Sequence, residues 1–358
     1  MLNKFLNWIF GKKRVLKSGA NIDYRPASEK EKDYKIEEFV TSFAPVNWRE
    51  RPESEWRQFP IFHQDGSGSC VSQSMAKMMG ILYWLKNNSY VHFSATDIYR
   101  RRSNKPESGM IGVDAFQIAR DGVTLEVLVP SQNMTDQQMD SIDVEEYKIE
   151  VGKIFKIGNY IFLPTNDIEA VASVIQVTQK PVMVWFYFKY NEWDKEIPEI
   201  INQALNVNDD GVGRHSVTAV DFTLYNGKKA LIIEDSWGPS SGKGGRRIIT
   251  EDFFVKRNFF AAYTMNFRFD EKPEKPQYTF NNDLEFNQTN EEIKILQNVL
   301  KYENLFPVNV ESTGYFGAVT KKAVGEFQLK YGVVDNVDSP GYGRVGPKTR
   351  AKLNELYS

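Results

Sequence analysis

One cysteine, Cys70, stands in a chain of 358 residues. No intramolecular disulfide can form, so packing alone must hold the fold, as suits a chain made in a reducing compartment. A reactive Cys70 would also have no internal partner with which to oxidise. Histidine is nearly as scarce: His63, His92 and His215 are the only three. None follows residue 215, which excludes a histidine-ligated zinc centre from the C-terminal part, and no metal or cofactor is expected. No window of eighteen apolar residues occurs, so no membrane-spanning helix is expected. Charge of one sign is missing too, since 45 Lys and Arg against 47 Asp and Glu leave a net charge of -2. With no long basic run beyond the N-terminus, no nucleic-acid partner is expected.

What is present is enough apolar residue, 41%, to fill real cores, and a length that suggests two or three domains. Met1 to Arg14 reads as a short amphipathic helix. Leu2, Phe5, Leu6, Ile9 and Phe10 share one face, Trp8 flanks it, and Gly11 with Lys12, Lys13 and Arg14 closes it. A secretory signal would place the basic residues before the apolar run, the reverse of this order. Three readings stay open for it: docking on the body or a partner, lying on a membrane surface, or serving as a flexible leader. Residues 17 to 38 are polar and charged, a solvated linker by composition, so residues 1–44 form helix and linker. A globular body spans 45–269. Glu271-Lys-Pro-Glu-Lys-Pro276 marks a semi-stiff linker over 270–283, and a small helical domain covers 284–358.

The body is organised around Gln64-Asp-Gly-Ser-Gly-Ser-Cys70. After it Val71, Met75, Met78, Met79, Leu82 and Tyr83 recur on one helical face, which puts Cys70 at a helix start with Ser69 as expected N-cap. The two glycines allow a sharp entry, and the helix dipole favours an anion at the first turn, so a thiol there is set to act as a thiolate. Further helices are expected from Phe93 to Tyr99, followed by the basic patch Arg100-Arg101-Arg102, and across Gly109 to Gly122. The second half changes character. Pro181 to Phe188, His215 to Asp221, Ala230 to Ile233 and Phe259 to Phe269 read as strands. A helical half followed by an antiparallel sheet or barrel makes an α+β body with a cleft between its halves.

A cysteine nucleophile needs a base, and His215 begins a strand in the sheet half, opposite the helix of Cys70. His63 adjoins the Gln64 loop and is a lesser candidate, while His92 reads as structural. Asp235, at the end of an apolar strand and before Ser236-Trp237-Gly238, suits the role of holding the imidazole in one tautomer. The Cys70 amide and the Gln64 side-chain amide can supply two donors to an oxyanion. Each of these residues alone has an ordinary structural reading, as an inert buried thiol, a satisfied histidine or a turn former.

Taken together they resemble the papain-like cysteine peptidases. Gln64 stands six positions before Cys70 in Gly68-Ser69-Cys70, Asn47-Trp48-Arg49 matches the opening of the mature domain, Arg214-His215-Ser216-Val217 matches the histidine strand, and Asp235-Ser236-Trp237-Gly238 matches Asn-Ser-Trp-Gly. The resemblance implies a two-lobed fold, a helical lobe plus an antiparallel sheet or barrel lobe. It implies catalysis by Cys70, His215, Asp235 and Gln64, with Ser236 and Trp237 shielding the His215–Asp235 contact. Gly68, Gly109 and Trp237 would line the substrate. There are departures: Asp235 replaces Asn, Ser67 stands where many relatives have a disulfide cysteine, and Val71 and Ser241 stand where Trp is common. Residues 1–44 are shorter than the usual inhibitory propeptide, so no conventional zymogen is expected.

The last domain resembles the three-helix peptidoglycan-binding module of cell-wall hydrolases, through Leu296-Gln297, Leu300, Gly314-Tyr-Phe-Gly317, Thr320, Ala323-Val324, Phe327-Gln328, Gly332 and Gly346-Pro-Lys-Thr349. The expectation is a cysteine endopeptidase acting on protein or peptide and held at the bacterial envelope by peptidoglycan. The missing secretion signal points to a bacteriophage or prophage source. Two rivals stand beside it: a catalytically silent wall-binding or virion protein, and a hydrolase of peptidoglycan peptide bridges.

Overall fold

The computed structural model describes residues 18–38, 42–199, 205–264, 267–269, 275–303, 305–306 and 312–358. The amphipathic helix expected over residues 1–14 lies outside them. The chain divides into two compact units, residues 1–269 and 270–358.

The first unit is built on the helix Cys70–Asn87. An amphipathic stripe was expected from its apolar spacing, yet every residue from Cys70 to Leu82 is buried, polar ones included. The helix is a central one, covered on all sides, so its hydroxyls and amide side chains bond within the interior. It packs against the short helices Ala95–Tyr99 and Gly112–Asp121, the latter closed by Gly122 as expected.

The sheet half contains β2 (Tyr160–Phe162), β3 (Val182–Phe188), β4 (Gly213–Tyr225), β5 (Lys228–Glu234), β6 (Arg246–Thr250) and β7 (Asn258–Thr264), ordered β2-β7-β3-β4-β5-β6 with antiparallel pairing throughout. The residues expected as one strand from Phe259 to Phe269 are two, because β8 (Phe267–Phe269) leaves to pair with β1 (Phe155–Ile157). The unbroken apolar run of β3 has a simple cause. Val182, Val184, Phe186 and Phe188 face one core, with helices Ile168–Thr178 and Glu251–Arg257, while Met183 and Trp185 face the core around the central helix. A strand buried on both faces has no polar side.

Residues 18–38, expected as a solvated linker, instead pack on this unit. Ala20 is 1% exposed and Ile36 is 4% exposed, Tyr34 accepts the Phe162 amide hydrogen, and Arg25 clasps Asp23 and Asp33. The arginine patch is neutralised locally: Arg100 and Arg101 pair with Asp97, and Arg102 pairs with Asp140.

A buried ion pair locks the two halves. Lys77 of the central helix donates to Glu234 and to the Pro60 carbonyl, both at 2.7 Å. Glu234 also takes the Phe59 amide hydrogen and Arg246. Its next residue is Asp235, so the cluster that ties helix to strand end also fixes where the Asp235 carboxylate lies relative to the helix start.

The second unit holds helices Glu291–Tyr302, Ala318–Lys330 and Pro347–Tyr357 around Ile293, Leu296, Leu300, Phe316, Val324, Phe327 and Leu353. One buried device occurs twice. The Gln297 amide accepts the Gly314 N–H and donates to the Tyr315 carbonyl and the Thr320 hydroxyl; Gln328 does the same with Gly343, Arg344 and Thr349. Each glutamine therefore closes the loop that leads into the next helix, which accounts for the paired Gln, Gly and Thr of the sequence as fold determinants.

Candidate active site

The Gln64–Cys70 loop is held from both sides. The Gln64 N–H donates to the Ser236 carbonyl at 2.8 Å, and its side-chain carbonyl accepts the Ser236 hydroxyl at 2.6 Å. Ser236 thus anchors Gln64 through both its carbonyl and its hydroxyl. The Gln64 side-chain amide donates to the Ser67 carbonyl at 2.9 Å. Ser69 occupies the N-cap position of the central helix without a side-chain cap. Its hydroxyl meets that of Ser67 at 2.7 Å instead, since a buried hydroxyl is drawn to the nearest polar partner. The Gly68 N–H donates to Asp136 at 2.8 Å, and a side chain at Gly68 would press within 2.4 Å of the Ser108 hydroxyl. Cys70, fully buried, follows as the first helical residue.

His215 lies near the start of β4 and Asp235 one residue past the end of the adjacent β5, so pairing of the two strands brings them together. Nε2 of His215 meets Oδ1 of Asp235 at 2.7 Å, and both side chains are wholly buried. The Trp237 indole stacks over the imidazole, centroids 4.4 Å apart. Nδ1 of His215 makes no hydrogen bond by distance and angle, which leaves that edge of the ring for Cys70. Burial alone would depress the His215 pKa; the charge and hydrogen bond of Asp235, joined by Cys70, override it and lift the value to about 9. Asp235 moves the other way. Burial would raise it, but His215 and then Arg247 hold its carboxyl far below the usual carboxylate range.

Cys70, His215, Asp235, Gln64, Gly68 and Trp237 therefore gather at one place. His63 lies beside it, bridged to Trp237 through the backbone, while His92 sits outside against Phe62 and Tyr90. Gly109 does reach the cleft, with φ at 81°. Its N–H, however, donates to the Tyr99 hydroxyl at 2.8 Å, and the chain facing it is residues 19–21. Met110 donates its N–H to the Gly19 carbonyl at 2.9 Å and accepts that of Asn21 at 3.0 Å, while Ala20 donates to the Arg214 carbonyl at 3.3 Å. A Cβ on Gly19 would fall 1.8 Å from the Gly68 carbonyl oxygen. This strap runs from the loop before Cys70 to the strand of His215, over the site.

Sequence reasoning missed the strap, Trp193 and Arg247. Trp193 donates its indole N–H to Asp235 at 3.3 Å, and Arg247 donates Nε to the same carboxylate oxygen at 3.0 Å. A signal existed: Glu234-Asp235 ends one strand and Arg246-Arg247 begins the next, two adjacent acids answered by two adjacent arginines in otherwise apolar strands. The strap left none, because Gly19-Ala20-Asn21 engages mainly through backbone atoms, with one side-chain bond from Asn21 to the Ser108 carbonyl. Among the described residues no cluster of metal-binding side chains occurs, and no helix is long and apolar enough to cross a membrane.

Comparison with known proteins agrees with this geometry. The family described as "Papain family cysteine protease" matches residues 44–253, and that described as "Putative peptidoglycan binding domain" matches residues 289–353. Oryzain beta chain of Oryza sativa subsp. japonica is 25% identical over 227 residues, which make up 62% of this chain and 44% of that protein. The chain thus spans less than half the length of that relative. Xylellain, a cysteine protease from Xylella fastidiosa, has a TM-score of 0.54 at 17% identity, covering 70% of this chain and 96% of its own. Digestive procathepsin L 3 of Tenebrio molitor larval midgut has a TM-score of 0.50 at 18% identity, covering 73% of this chain and 78% of its own. At such identities the two structures speak for the fold alone. The family match, which takes in more than half of the residues, is what decides membership: the chain belongs to the papain family of cysteine proteases, joined to a peptidoglycan-binding domain.

Proposed function

We propose that the protein is a cysteine endopeptidase working through Cys70, His215 and Asp235, held at a bacterial cell wall by its C-terminal domain. The observation that carries this reading is His215, buried between the thiol at a helix start and a carboxylate at 2.7 Å. Cys70 attacks the peptide carbonyl, the imidazolium of His215 protonates the leaving amine, and water later resolves the thioester with His215 as base. Asp235 keeps Nε2 as the proton-bearing edge, which turns Nδ1 to the nucleophile. The Cys70 amide and Gln64 serve the oxyanion. Since the Gln64 side chain is already fixed by Ser236 and Ser67, it needs little reorganisation when charge develops. Gln64→Ala is expected to lower kcat by about 10²-fold with little change in KM, as loss of one oxyanion donor does; steady-state kinetics on a dye-quenched casein read this directly.

The C-terminal domain localises this chemistry without choosing the bond, since tethering raises effective concentration only. Co-sedimentation with purified bacterial cell walls tests it. The Cys70→Ala full chain is expected to pellet and a chain ending at residue 269 to stay in the supernatant; equal behaviour of the two would remove the wall from the reading. The same domain favours an envelope-directed setting, with a protein at the envelope as the substrate. Release of soluble peptide from the walls by active enzyme would assign the cut to peptidoglycan bridges instead.

A further inference from the structure

An ionised carboxylate with no exposure to water is costly unless its oxygens are matched by donors and its charge by a cation. Asp235 meets both conditions. Oδ1 accepts from His215 at 2.7 Å and from the Trp237 N–H at 3.2 Å; Oδ2 accepts from Arg247 Nε at 3.0 Å and from Trp193 Nε1 at 3.3 Å. Arg247 is itself wholly buried. Its other nitrogens donate to the Ser241 hydroxyl at 2.6 Å and to the Lys195 carbonyl, and its guanidinium lies 5.2 Å from the centre of the Trp193 ring. Because Arg247 sits on β6 opposite Ile233 of β5, it is diagonal to Asp235, within reach on the same face of a sheet. Its neighbour Arg246 turns the other way, to Glu234 and the Lys77 cluster. The pleat thus sorts two acids and two arginines into separate buried sets.

Resting on the reading of Asp235 as the partner of His215, we propose that Arg247 is a positioning residue for the reaction, fixing the Asp235 carboxylate with one oxygen toward His215 and moderating its negative charge there. A bare carboxylate would hold the imidazolium proton too firmly for easy release to the leaving amine. A carboxylate shared with a guanidinium pulls less, and its second oxygen cannot swing round to compete. The charged groups around the pair are few. His215 from β4 and Arg247 from β6 touch Asp235, Cys70 faces His215, and Lys77 of the central helix feels Asp235 but is held by Glu234.

The test is a titration of the full chain labelled with isotopic histidine, whose three imidazoles give three sets of NMR signals, alongside casein hydrolysis. Arg247→Met leaves Asp235 unmoderated, so the His215 titration moves up by about one pH unit, the scale of a charge removed near the site. Asp235→Asn leaves Arg247 as a lone cation and moves it down. In the double variant Asp235→Asn/Arg247→Met both charges are gone. The expected order of His215 titration, from highest, is Arg247→Met, wild type, double variant, Asp235→Asn, and the double variant hydrolyses casein faster than Asp235→Asn alone. A His215 titration in folded Arg247→Met that matches wild type overturns the proposal. If Arg247→Met does not fold, the double variant carries the test: a titration and rate no higher than those of Asp235→Asn overturn it. Asp235→Asn with a wild-type titration and rate would instead overturn the reading of Asp235 itself.

Discussion

His215→Ala is expected to lower casein hydrolysis by roughly 10⁴-fold, the scale of losing a member of a nucleophile–base pair. Cys70→Ala should do at least as much, since no other thiol exists. The single cysteine also makes alkylation unambiguous, each iodoacetamide adduct seen by intact mass being on Cys70. The sign of the pH dependence follows from His215, whose pKa is raised to about 9. The imidazolium is present below that value and lost above it. Labelling of the wild type should therefore stay fast down to about pH 5 or 6, where an isolated thiol reacts slowly, and His215→Ala should lose this low-pH component. Activity should fall as pH rises through about 9. Stability moves with it: the folded value lies above the ordinary one of about 6.5, so the contribution of the pair is complete below 6.5 and disappears as pH climbs to about 9. Thermal melts at pH 6 and pH 9.5 should show that step in the wild type and not in His215→Ala. Labelling that rises only in the alkaline range, alike in both proteins, would mean that no thiolate–imidazolium pair forms, and the enzyme reading would give way to the wall-binding one.

The gathering of Cys70, His215 and Asp235 was legible because their chemistry is tied to side chains and their places to simple patterns, a helix start and two strand ends. Gln64 was legible in position but not in detail, since its bond to Ser236 depends on contact with a residue 172 positions away. The α+β order was visible, and so were β3, β4, β5 and β7 of the sheet half. The edge strands β2 and β6 were not, being only three and five residues long, nor was the separate pair in which β8 leaves β7 to meet β1. The central helix misled in one respect. Its apolar spacing marks a face, but burial on every side is set by what packs around it, and Lys77 inside the core is held there by Glu234 and the Pro60 carbonyl. The strap was illegible for a related reason. Composition marks residues 17–38 as polar and therefore solvated, whereas backbone groups, which every sequence carries, bind residues 19–21 across the site.

That strap predicts an activation that no catalytic residue would give. Gly19→Leu is expected to raise casein hydrolysis by the full chain by up to about tenfold, through weakening of a segment that lies over the site. The strap holds through three backbone hydrogen bonds, to Met110 twice and to Arg214, and one from the Asn21 side chain to the Ser108 carbonyl. At roughly 0.5 to 1.5 kcal/mol each the four bonds give about 2 to 6 kcal/mol, and the ordering of three residues takes back a comparable amount, so the strap is weakly held and one added clash is enough to open it. Gly19 is the weak point, because the Gly68 carbonyl oxygen occupies the space that any Cβ would need. A leucine there must lift the strap or push back the loop before Cys70. These two results are distinguishable. Lifting the strap raises hydrolysis and speeds Cys70 alkylation together, whereas a displaced loop slows hydrolysis, and then Asn21→Ala, which removes one strap contact without crowding the loop, should still raise it by a smaller factor. If neither variant exceeds the wild type, the strap is not what limits access. The clasp of Arg25 between Asp23 and Asp33 is internal to the N-terminal segment, so Arg25→Ala gives a third approach that touches no residue near the thiol: the segment that carries the strap loses its own tie, and hydrolysis should rise by a smaller factor still.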